Sequence, residues 1–374
     1  MLSLSGTITS VTKPAEMNTY KRATIKQVAK ASGVSTQTVS RVINDRPDVS
    51  PETRQRIQQV ILEMKYQPSA LARSLIQQRS YTLGVVTAGL KFNGPSRTLN
   101  GIANKAEQLG YALLLKEILQ FDTDAIKPLL QNLMARHVDG IVWAVPEVGD
   151  NRRRVDEILI DISVPVVFLT MQPRPGVSTV AVDNYAGGSL ATRHLLEQGC
   201  RQIGHISGPL DWWEARQRKQ AWQNTMQKAG IPAPDNACME GNWSSASAEA
   251  AFTKLLEAYP GMEAVFVGND QMALTVLQIA HRRGLRVPRD LAVVGFDNMA
   301  ESAYFWPALT TVNHNLYELG CRAVQETVKQ IEVVHHNARS GYNEKLEPQN
   351  ISLSPELIVR ESSIIRQPAG GLAD

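Results

Sequence analysis

One short polar stripe near the start of the chain has side chains of the types that read DNA bases. If Val39, Val42 and Ile43 point into a core, five polar residues share the opposite helix face, because positions three and four apart stack together. These residues are Thr36, Gln37, Ser40, Arg41 and Asn44. Gln pairs with adenine, Arg with guanine, and Thr or Ser with either. The stripe indicates a helix that enters the major groove, although most polar stripes are ordinary solvated faces.

A second group of side chains, far along the chain, is suited to hold a small polar molecule. Tryptophans follow strand-like or turn segments, and their flat faces bury the apolar side of a sugar ring. They are Trp212, Trp213, Trp243 and Trp306. Groups that would bind its hydroxyls are Asp183, Arg218, Asn269, Asp270 and Asp297. Each has a structural alternative, since tryptophans are usually core residues and an aspartate after a strand often caps a helix.

Sequence patterns typical of several enzyme and metal sites are missing. There is no G-x-G-x-x-G after a strand-like segment, no G-K-[ST], no H-E-x-x-H and no G-x-S-x-G. The three cysteines (Cys200, Cys238 and Cys321) lack C-x-x-C spacing, which fits a reducing compartment rather than a disulfide framework or zinc site. The seven histidines do not group with acids, and His205 is interpreted as a core residue. We expect no metal, no cofactor and no catalytic residue.

The charge of the chain is divided unevenly between a basic head and an acidic body. The 374 residues carry 39 Lys and Arg against 36 Asp and Glu, a net charge of +3. Up to Ser80 there are 12 basic and 5 acidic residues, so this part carries +7 and the remainder −4. Only the head is expected to bind a polyanion.

The sequence has no apolar stretch of membrane-spanning length and no signal-peptide pattern. We therefore expect a cytoplasmic protein that does not act at a membrane.

The elements predicted for the head place the polar stripe on the second of several short helices. Ile25, Val28 and Ala29 form a first apolar stripe that ends at Gly33, and Ser35 then caps the helix of the stripe. A hydroxyl cap, a proline and an acid in Ser50-Pro51-Glu52 begin a third helix. A helix, a glycine-containing turn and a polar helix predict a helix-turn-helix.

From Tyr81 onward, apolar strands alternate with amphipathic helices. The predicted strands are Thr82–Thr87, Gly140–Val145, Pro165–Leu169, Gln202–Ser207, Ala264–Gly268 and Leu291–Phe296. The predicted helices include Arg97–Leu109, Tyr185–Glu197, Glu214–Ala229 and Asp270–Arg283. Repeated βα units favour parallel sheets with helices on both faces, and the strands are too many for one sheet. We therefore expect two doubly wound α/β subdomains with a ligand crevice between them.

The stretch Val333 to Gln349 lacks this periodicity and is predicted to be an exposed insertion.

The order of these motifs resembles the lac repressor family of bacterial transcription regulators. The resemblance is carried in the head by Thr24-Ile25-Lys26-Gln27-Val28-Ala29, Gly33-Val34-Ser35, Thr38-Val39-Ser40-Arg41-Val42-Ile43-Asn44 and Val49-Ser50-Pro51-Glu52-Thr53-Arg54. It continues through Tyr66-Gln67-Pro68-Ser69-Ala70-Leu71-Ala72-Arg73-Ser74-Leu75. In the body it is carried by Asp183-Asn184, Ser207-Gly208-Pro209, Gly241-Asn242-Trp243, Gly268-Asn269-Asp270-Gln271, Gly295-Phe296-Asp297 and Pro307-Ala308-Leu309-Thr310-Thr311. The resemblance runs from Thr24 to Ser362.

The resemblance implies roles for individual residues. Thr36, Gln37 and Arg41 would contact bases in the major groove. Leu75 would wedge into the minor groove at the centre of a palindromic operator, with Ala72 near the groove floor. In the body, the polar effector ligands would be Arg218, Asn269 and Asp297, the aromatic platform Trp243, and a further lining residue Trp212. The loop Phe92 to Ser96 would close the cleft, and Asp183 and Asp270 are interpreted as structural.

The domain organisation expected from these observations has six parts. They are a disordered tail (1–22), a helix-turn-helix domain (23–67), a hinge helix and linker (68–80), an N-subdomain (81–182 with 314–345), a C-subdomain (183–313 with 350–363) and a second tail (364–374). The hinge helix is too short to be stable alone and is expected to fold on DNA. The second tail has no leucine heptad, which favours a homodimer over a tetramer.

The function expected is a DNA-binding repressor that is not an enzyme. Two heads would bind double-stranded operator DNA under the control of a small effector in the cleft. A sugar or oligosaccharide is favoured, and a purine-like effector is the alternative, because tryptophan also stacks on bases. Two further alternatives are a sugar-transport protein, which the basic head disfavours, and a sugar-modifying enzyme, for which no pair of carboxylates is set up as acid and base.

Overall fold

The computed structural model describes residues 23–67, 79–118, 126–148, 162–341 and 346–365. The chain divides into two compact units between Ser80 and Tyr81, where the sequence predicted the boundary between head and body. The expected tails (1–22 and 366–374) and most of the expected hinge (68–78) lie outside the described residues. The described part of the head therefore consists of residues 23–67, which contain its helices, and of residues 79 and 80.

The described part of the head has three helices, and Ser35, Ser50 and Gly33 cap them as the sequence predicted. They are α1 (Ile25–Ser32), α2 (Thr36–Ile43) and α3 (Pro51–Glu63). The Ser35 hydroxyl accepts from the Thr38 amide at 3.1 Å, and α1 ends at Gly33, whose φ of 67° suits glycine. Buried Val28, Ala29, Val39, Val42 and Ile57 form one small core, against which Ile43 packs. This core fixes the direction in which the polar face of α2 points.

The N-lobe is built on a parallel sheet of six described strands. In spatial order these are β11 (Asn350–Leu353), β5 (Ser178–Val182), β4 (Val166–Leu169), β3 (Gly140–Ala144), β1 (Thr82–Ala88) and β2 (Ala112–Ile118). One face is covered by α4 (Asn93–Gln108) and α10 (Leu316–Ser340), and the other by α5 (Ile126–Ala135). Apolar side chains buried on both faces make the hydrophobic effect the main stabilising contribution.

The C-lobe has a second sheet of six described strands, parallel except at one edge. Its order is β12 (Glu356–Ile358), β10 (Thr310–Asn313), β9 (Ala292–Phe296), β8 (Ala264–Val267), β6 (Ile203–Ser207) and β7 (Cys238–Glu240). The antiparallel strand is β12, which pairs with β10. Helices α6 (Asn184–Glu197) and α7 (Trp213–Lys228) cover one face, and α8 (Ser245–Ala258) and α9 (Asp270–Arg282) the other.

The two lobes share one strand order, which confirms the prediction of two doubly wound subdomains. Each order reverses next to the first strand of its lobe, between β1 and β3 and between β6 and β8. Ligands of such sheets bind outside the carboxyl ends of the strands at this reversal. The described chain passes from one lobe to the other after β5, after β10 and after β11. The cleft therefore lies between two sets of strand ends.

Several expectations about elements were wrong. The predicted insertion from Val333 is helical as far as Ser340, although the buried residues of α10 end at Ile331. Strand β11 pairs with β5, so residues 350–353 belong to the N-lobe rather than to the expected C-subdomain. The unpredicted strands are short or, like β2, partly exposed, which weakens their apolar pattern.

Candidate effector cleft and DNA-reading helix

Helix α2 presents its predicted polar stripe to solvent. Thr36, Gln37, Arg41 and Asn44 are exposed, and Ser40 is half-buried. The side-chain amide of Asn44 donates to the Ser40 carbonyl at 2.8 Å, and Asn44 is also the C-cap of α2. The stripe is therefore accessible along the length of α2, as a base-reading helix requires.

The turn after α2 is fixed by arginine contacts. Arg41 and Asp48 form an ion pair at 3.2 Å, with their side chains 47% and 52% exposed. Arg54 of α3 donates to Asp45 at 2.6 Å and to the Arg46 carbonyl. The guanidinium predicted to read a base is thus held by a local carboxylate. The other two predicted DNA contacts, Ala72 and Leu75, lie outside the described residues.

The cleft between the lobes brings the predicted effector residues together. Its empty space, with the open solvent at its mouth included, is about 890 Å³, and all five predicted ligands line it: Trp212, Arg218, Trp243, Asn269 and Asp297. They come from the segments that follow the carboxyl ends of β6, β7, β8 and β9. The N-lobe contributes the residues from Phe92 to Pro95, which were expected to form a loop. Instead, Phe92 caps α4 and the next residues form its first turn.

Arg218 is the most firmly held of the five side chains. It is 6% exposed, its Nε donates to Asn184 Oδ1 at 2.9 Å, and its Nη1 donates to the Gly268 carbonyl. The guanidinium carbon lies 3.6 Å from the centre of the Phe296 ring and 5.4 Å from that of Trp243. Burial lowers the pKa of Arg218, and nearby Asp297 opposes that shift. A fixed cation with unused N–H groups can bind ligand oxygens.

Asn269 and Asp297 have structural partners beside the cleft. The Asn269 side chain caps α9 by accepting from the Met272 amide at 2.9 Å, and donates to the Trp243 carbonyl at 3.0 Å. Asp297, with a φ of 115°, contacts His314 Nε2 at 3.0 Å. Burial lowers the pKa of His314, so its neutral imidazole donates this bond. His314 lines the cleft but was missed, because one histidine after an apolar strand gives no signal in the sequence.

Trp212 and Trp243 form a corner rather than two parallel plates. Their rings lie 6.0 Å apart at an interplanar angle of 67°. Trp243 packs on Gly208, where any β-carbon would overlap its ring. Its indole Nε1 is buried and has no hydrogen-bond partner among the described residues. Trp243 therefore gives the cleft both an apolar wall and a buried donor.

The remaining candidates do not line this cleft. Trp306 is 89% exposed, and Trp213 lines a different pocket. Asp183 caps α6 by accepting from the Ala186 amide at 2.7 Å. Buried Asp270 accepts from the Met299 amide, the Ser302 hydroxyl and the Thr311 hydroxyl. Burial raises the pKa of Asp270 to about 7. The structural interpretation of both aspartates is supported.

His205 is buried, as interpreted from the sequence. It contacts the Phe266 carbonyl at 2.8 Å and stacks between the rings of Trp222 and Phe266. Burial lowers the pKa of His205 to about 3, so the residue is neutral at pH 7. It is a core residue of the C-lobe.

Glu214 is a cleft residue that the sequence interpretation missed. It lies in the first turn of α7, lines the cleft and is 8% exposed. Its Oε2 is buried without a hydrogen-bond partner among the described residues. Burial raises the pKa of Glu214 to about 7. The sequence interpretation missed Glu214 because a Trp-Glu-Ala sequence at the start of a helix is typical of an ordinary acidic first turn.

Within the described ranges, no helix is long and apolar enough to cross a membrane. The same ranges contain no group of three or more His, Cys, Asp or Glu that could hold a metal ion. Both findings concern only those ranges.

Two family models match the chain. The model of "Bacterial regulatory proteins, lacI family" matches residues 24–69, and that of a "Periplasmic binding protein-like domain" matches residues 192–363. The first match spans the three helices of the head. The second begins within α6 and extends past β12. The first match therefore lies within the first unit of the structure and the second match within the second unit.

The chain is similar over most of its length to curated repressors. The ribose operon repressor of Escherichia coli K12 is 33% identical over 342 residues, which are 91% of this chain and 100% of the relative. The HTH-type transcriptional repressor PurR of Mannheimia succiniciproducens is 32% identical over 342 residues, 91% of this chain and 98% of the relative. The lactose operon repressor of Escherichia coli K12 is 31% identical and covers 83% of this chain and 85% of the relative.

Solved structures extend the similarity to complexes with DNA and ligands. The lac repressor dimer bound to operator and the anti-inducer ONPF has a TM-score of 0.80 and 29% identity, covering 92% of this chain and 100% of that one. The complex of the transcriptional regulator CelR with cellobiose has a TM-score of 0.66 and 29% identity, covering 91% and 100%. The chain belongs to the lacI family of bacterial regulatory proteins and is a DNA-binding transcriptional regulator with a small-molecule effector site.

Proposed function

We propose that this regulator is a cytoplasmic, dimeric repressor whose operator affinity is controlled by a carbohydrate bound between the lobes. The observation that carries the carbohydrate assignment is the cleft, which combines two tryptophan faces with a buried cation, an amide and a carboxylate. Apolar ring faces with a few convergent polar groups match the two sides of a sugar. The ligand residues are Trp212, Arg218, Trp243, Asn269 and Asp297.

A purine effector is the second candidate, because a PurR repressor is among the relatives. The arrangement of the aromatic rings favours the sugar. Trp212 and Trp243 meet edge to face, and the Arg218 guanidinium lies beside the Trp243 ring. Offset-parallel rings are the arrangement that would hold a flat base on both faces. The corner instead suits a puckered ring whose hydroxyls point toward Arg218 and Asp297.

Contacts beside the cleft join the two lobes, and a change in these contacts would change the arrangement of the lobes. Arg97 of α4 donates to the Asn298 carbonyl at 3.2 Å, and Val148 pairs with Trp212 in an isolated bridge. Both join the N-lobe to the C-lobe beside the cleft. A sugar that contacts both lobes shifts their equilibrium only through its different affinity for the two arrangements. This change is proposed to reach the operator through the hinge segment.

The dimer would place two α2 helices on the half-sites of a palindromic operator. The lac repressor relative is a dimer in its operator complex. In this chain, Tyr304 and Trp306 are 88% and 89% exposed, and large aromatic side chains are frequent anchors of protein interfaces. We propose no catalytic activity, since the relatives are transcriptional repressors.

The effector assignment is tested by a thermal-shift screen, followed by operator binding with each hit. The panel contains D-ribose, cellobiose, lactose, hypoxanthine and guanine. A carbohydrate that raises the melting temperature and changes operator affinity supports the proposal. If no carbohydrate stabilises the protein, the sugar assignment is wrong. Stabilisation by a purine alone establishes the second candidate.

A further inference from the structure

Glu214 lines the cleft proposed to hold the effector, and one of its carboxylate oxygens has no hydrogen-bond partner among the described residues. The residue lies one helical turn before Arg218 on α7, and both side chains line the cleft. Oε2 is buried without a partner among the described residues, so a ligand donor that reaches it would satisfy an acceptor that is otherwise unpaired. A hydroxyl group is such a donor, whereas a carboxylate or a phosphate dianion offers only acceptors.

The charges around Glu214 make the cleft unfavourable for anions. Its own helix supplies Arg216 and Arg218, and the N-lobe supplies Glu147. The bridge between Val148 and Trp212 brings the segment of Glu147 next to that of Glu214. Among the described residues, the ionisable groups that line the cleft are Arg218, Glu214, Asp297 and His314, and burial lowers the pKa of His314. Arg218 is therefore already balanced by acids before a ligand binds.

We propose that Glu214 determines effector specificity by accepting a hydrogen bond from a hydroxyl of an uncharged sugar and by rejecting sugars that carry a carboxylate or phosphate. This inference rests on the proposed carbohydrate effector and specifies its charge. Charges repel strongly where water is largely excluded, so a second anion beside a buried carboxylate is unfavourable. A neutral sugar supplies the missing donor and adds no charge.

The proposal requires a defined pH dependence. Burial raises the pKa of Glu214 to about 7, with Glu147 adding to this shift and Arg218 and Arg216 opposing it. A hydroxyl donor stabilises the ionised carboxylate, so sugar binding lowers this pKa and releases a proton. Affinity therefore rises with pH while Glu214 ionises, by about tenfold between pH 6 and pH 8. Above that range it is constant.

The test compares neutral and anionic members of matched pairs on the full-length protein. The pairs are cellobiose with cellobionate, D-glucose with D-glucose 6-phosphate, and D-ribose with D-ribose 5-phosphate. Affinities are measured by calorimetry at pH 6, 7 and 8 for the wild type, Glu214→Gln and Glu249→Gln. The control Glu249 is an exposed acid on α8 that pairs with Arg282 at the surface. Its substitution removes the same charge far from the carboxylate under test.

The wild type and Glu249→Gln are expected to bind a neutral sugar at least tenfold more tightly than its anionic partner, with affinity rising from pH 6 to pH 8. Glu214→Gln should reduce the pH dependence to what buried Asp270, whose pKa is also about 7, contributes. It should also narrow the difference in affinity between the neutral and the anionic sugar. Tighter binding of an anionic sugar, or an unchanged pH profile in Glu214→Gln, overturns the inference but leaves the effector site in place. Binding of no sugar overturns the proposed effector and this inference with it. The wild-type comparison remains decisive if the variant does not fold.

Discussion

The two binding surfaces of this regulator are built in opposite ways. The stripe on α2 is largely exposed, lies on one eight-residue helix and its C-cap Asn44, and keeps its direction because a small core holds the other face. The cleft residues are mostly buried and come from segments more than 80 residues apart, from Trp212 to Asp297. In the cleft, the Arg218 side chain makes two hydrogen bonds and contacts two aromatic rings, so its substitution removes several contacts at once. On α2, the Arg41 side chain makes one ion pair. The sizes of the expected effects follow from this difference.

The largest effect is expected for Arg218→Ala. Truncating a buried, hydrogen-bonded charge costs about 2–5 kcal/mol of binding, or roughly 30-fold to several thousand-fold in affinity. We expect loss of the effector response with retention of operator binding, measured by calorimetry with a sugar hit and by gel shift. Arg216→Ala is the matched control, because Arg216 is exposed and contacts only the carbonyls of Leu210 and Asp211 among the bonds described.

Equal losses of effector and operator binding in Arg218→Ala would mean that the residue is structural. Arg218→Lys separates charge from geometry. Lysine keeps the cation but cannot reproduce the fork that reaches both Asn184 and Gly268. An affinity between those of wild type and the alanine variant is expected.

The next effect is expected for Leu75→Ala, which tests the proposed hinge contact. A leucine inserted into the minor groove bends DNA and acts only on the correct site, so specific binding should weaken about tenfold or more. Binding to an unrelated duplex should change little. Leu62→Ala is the control, because Leu62 is a leucine of the head that is 72% exposed. Uniform weakening on both duplexes would contradict a wedge.

A smaller effect is expected for Arg41→Ala on α2. Loss of a bidentate arginine–guanine pair costs about 1–3 kcal/mol and relaxes specificity at one base pair. Operators selected from a random library should lose their preference at that position only. Arg56→Ala, an exposed residue of α3, is the comparison and should weaken binding similarly for all sequences, if at all. A uniform loss in Arg41→Ala would place Arg41 on the phosphates.

The smallest effect is expected for Asp48→Asn. The Arg41–Asp48 pair is about half exposed, and exposed pairs contribute about 0.2–1 kcal/mol. Its removal frees the Arg41 guanidinium, so operator affinity should rise by less than about fivefold. In an Arg41→Ala background the gain should vanish. A gain of the same size in both backgrounds would show that Asp48 acts by repelling DNA phosphates.

The sequence predicted the head more completely than the cleft. The N-caps Ser35 and Ser50, the turn at Gly33 and the buried face of α2 all follow from neighbouring residues, and the structure has each of them. Strand pairing between residues 350–353 and β5 joins positions about 170 residues apart, so no local pattern could reveal it. The helical end of α10 was missed because its last turns are largely exposed and their apolar stripe is weak.

What the sequence determined alone is the identity of the parts: a basic reading helix, alternating βα units, and tryptophans and polar groups near strand ends. The tertiary structure decided which of these meet. It places Trp243 against Gly208, removes Trp306 from the cleft, and adds His314 and Glu214 to it. The physical reason is burial. A side chain on an exposed helix acts through its own chemistry, but a buried one acts through neighbours that only the folded chain brings close.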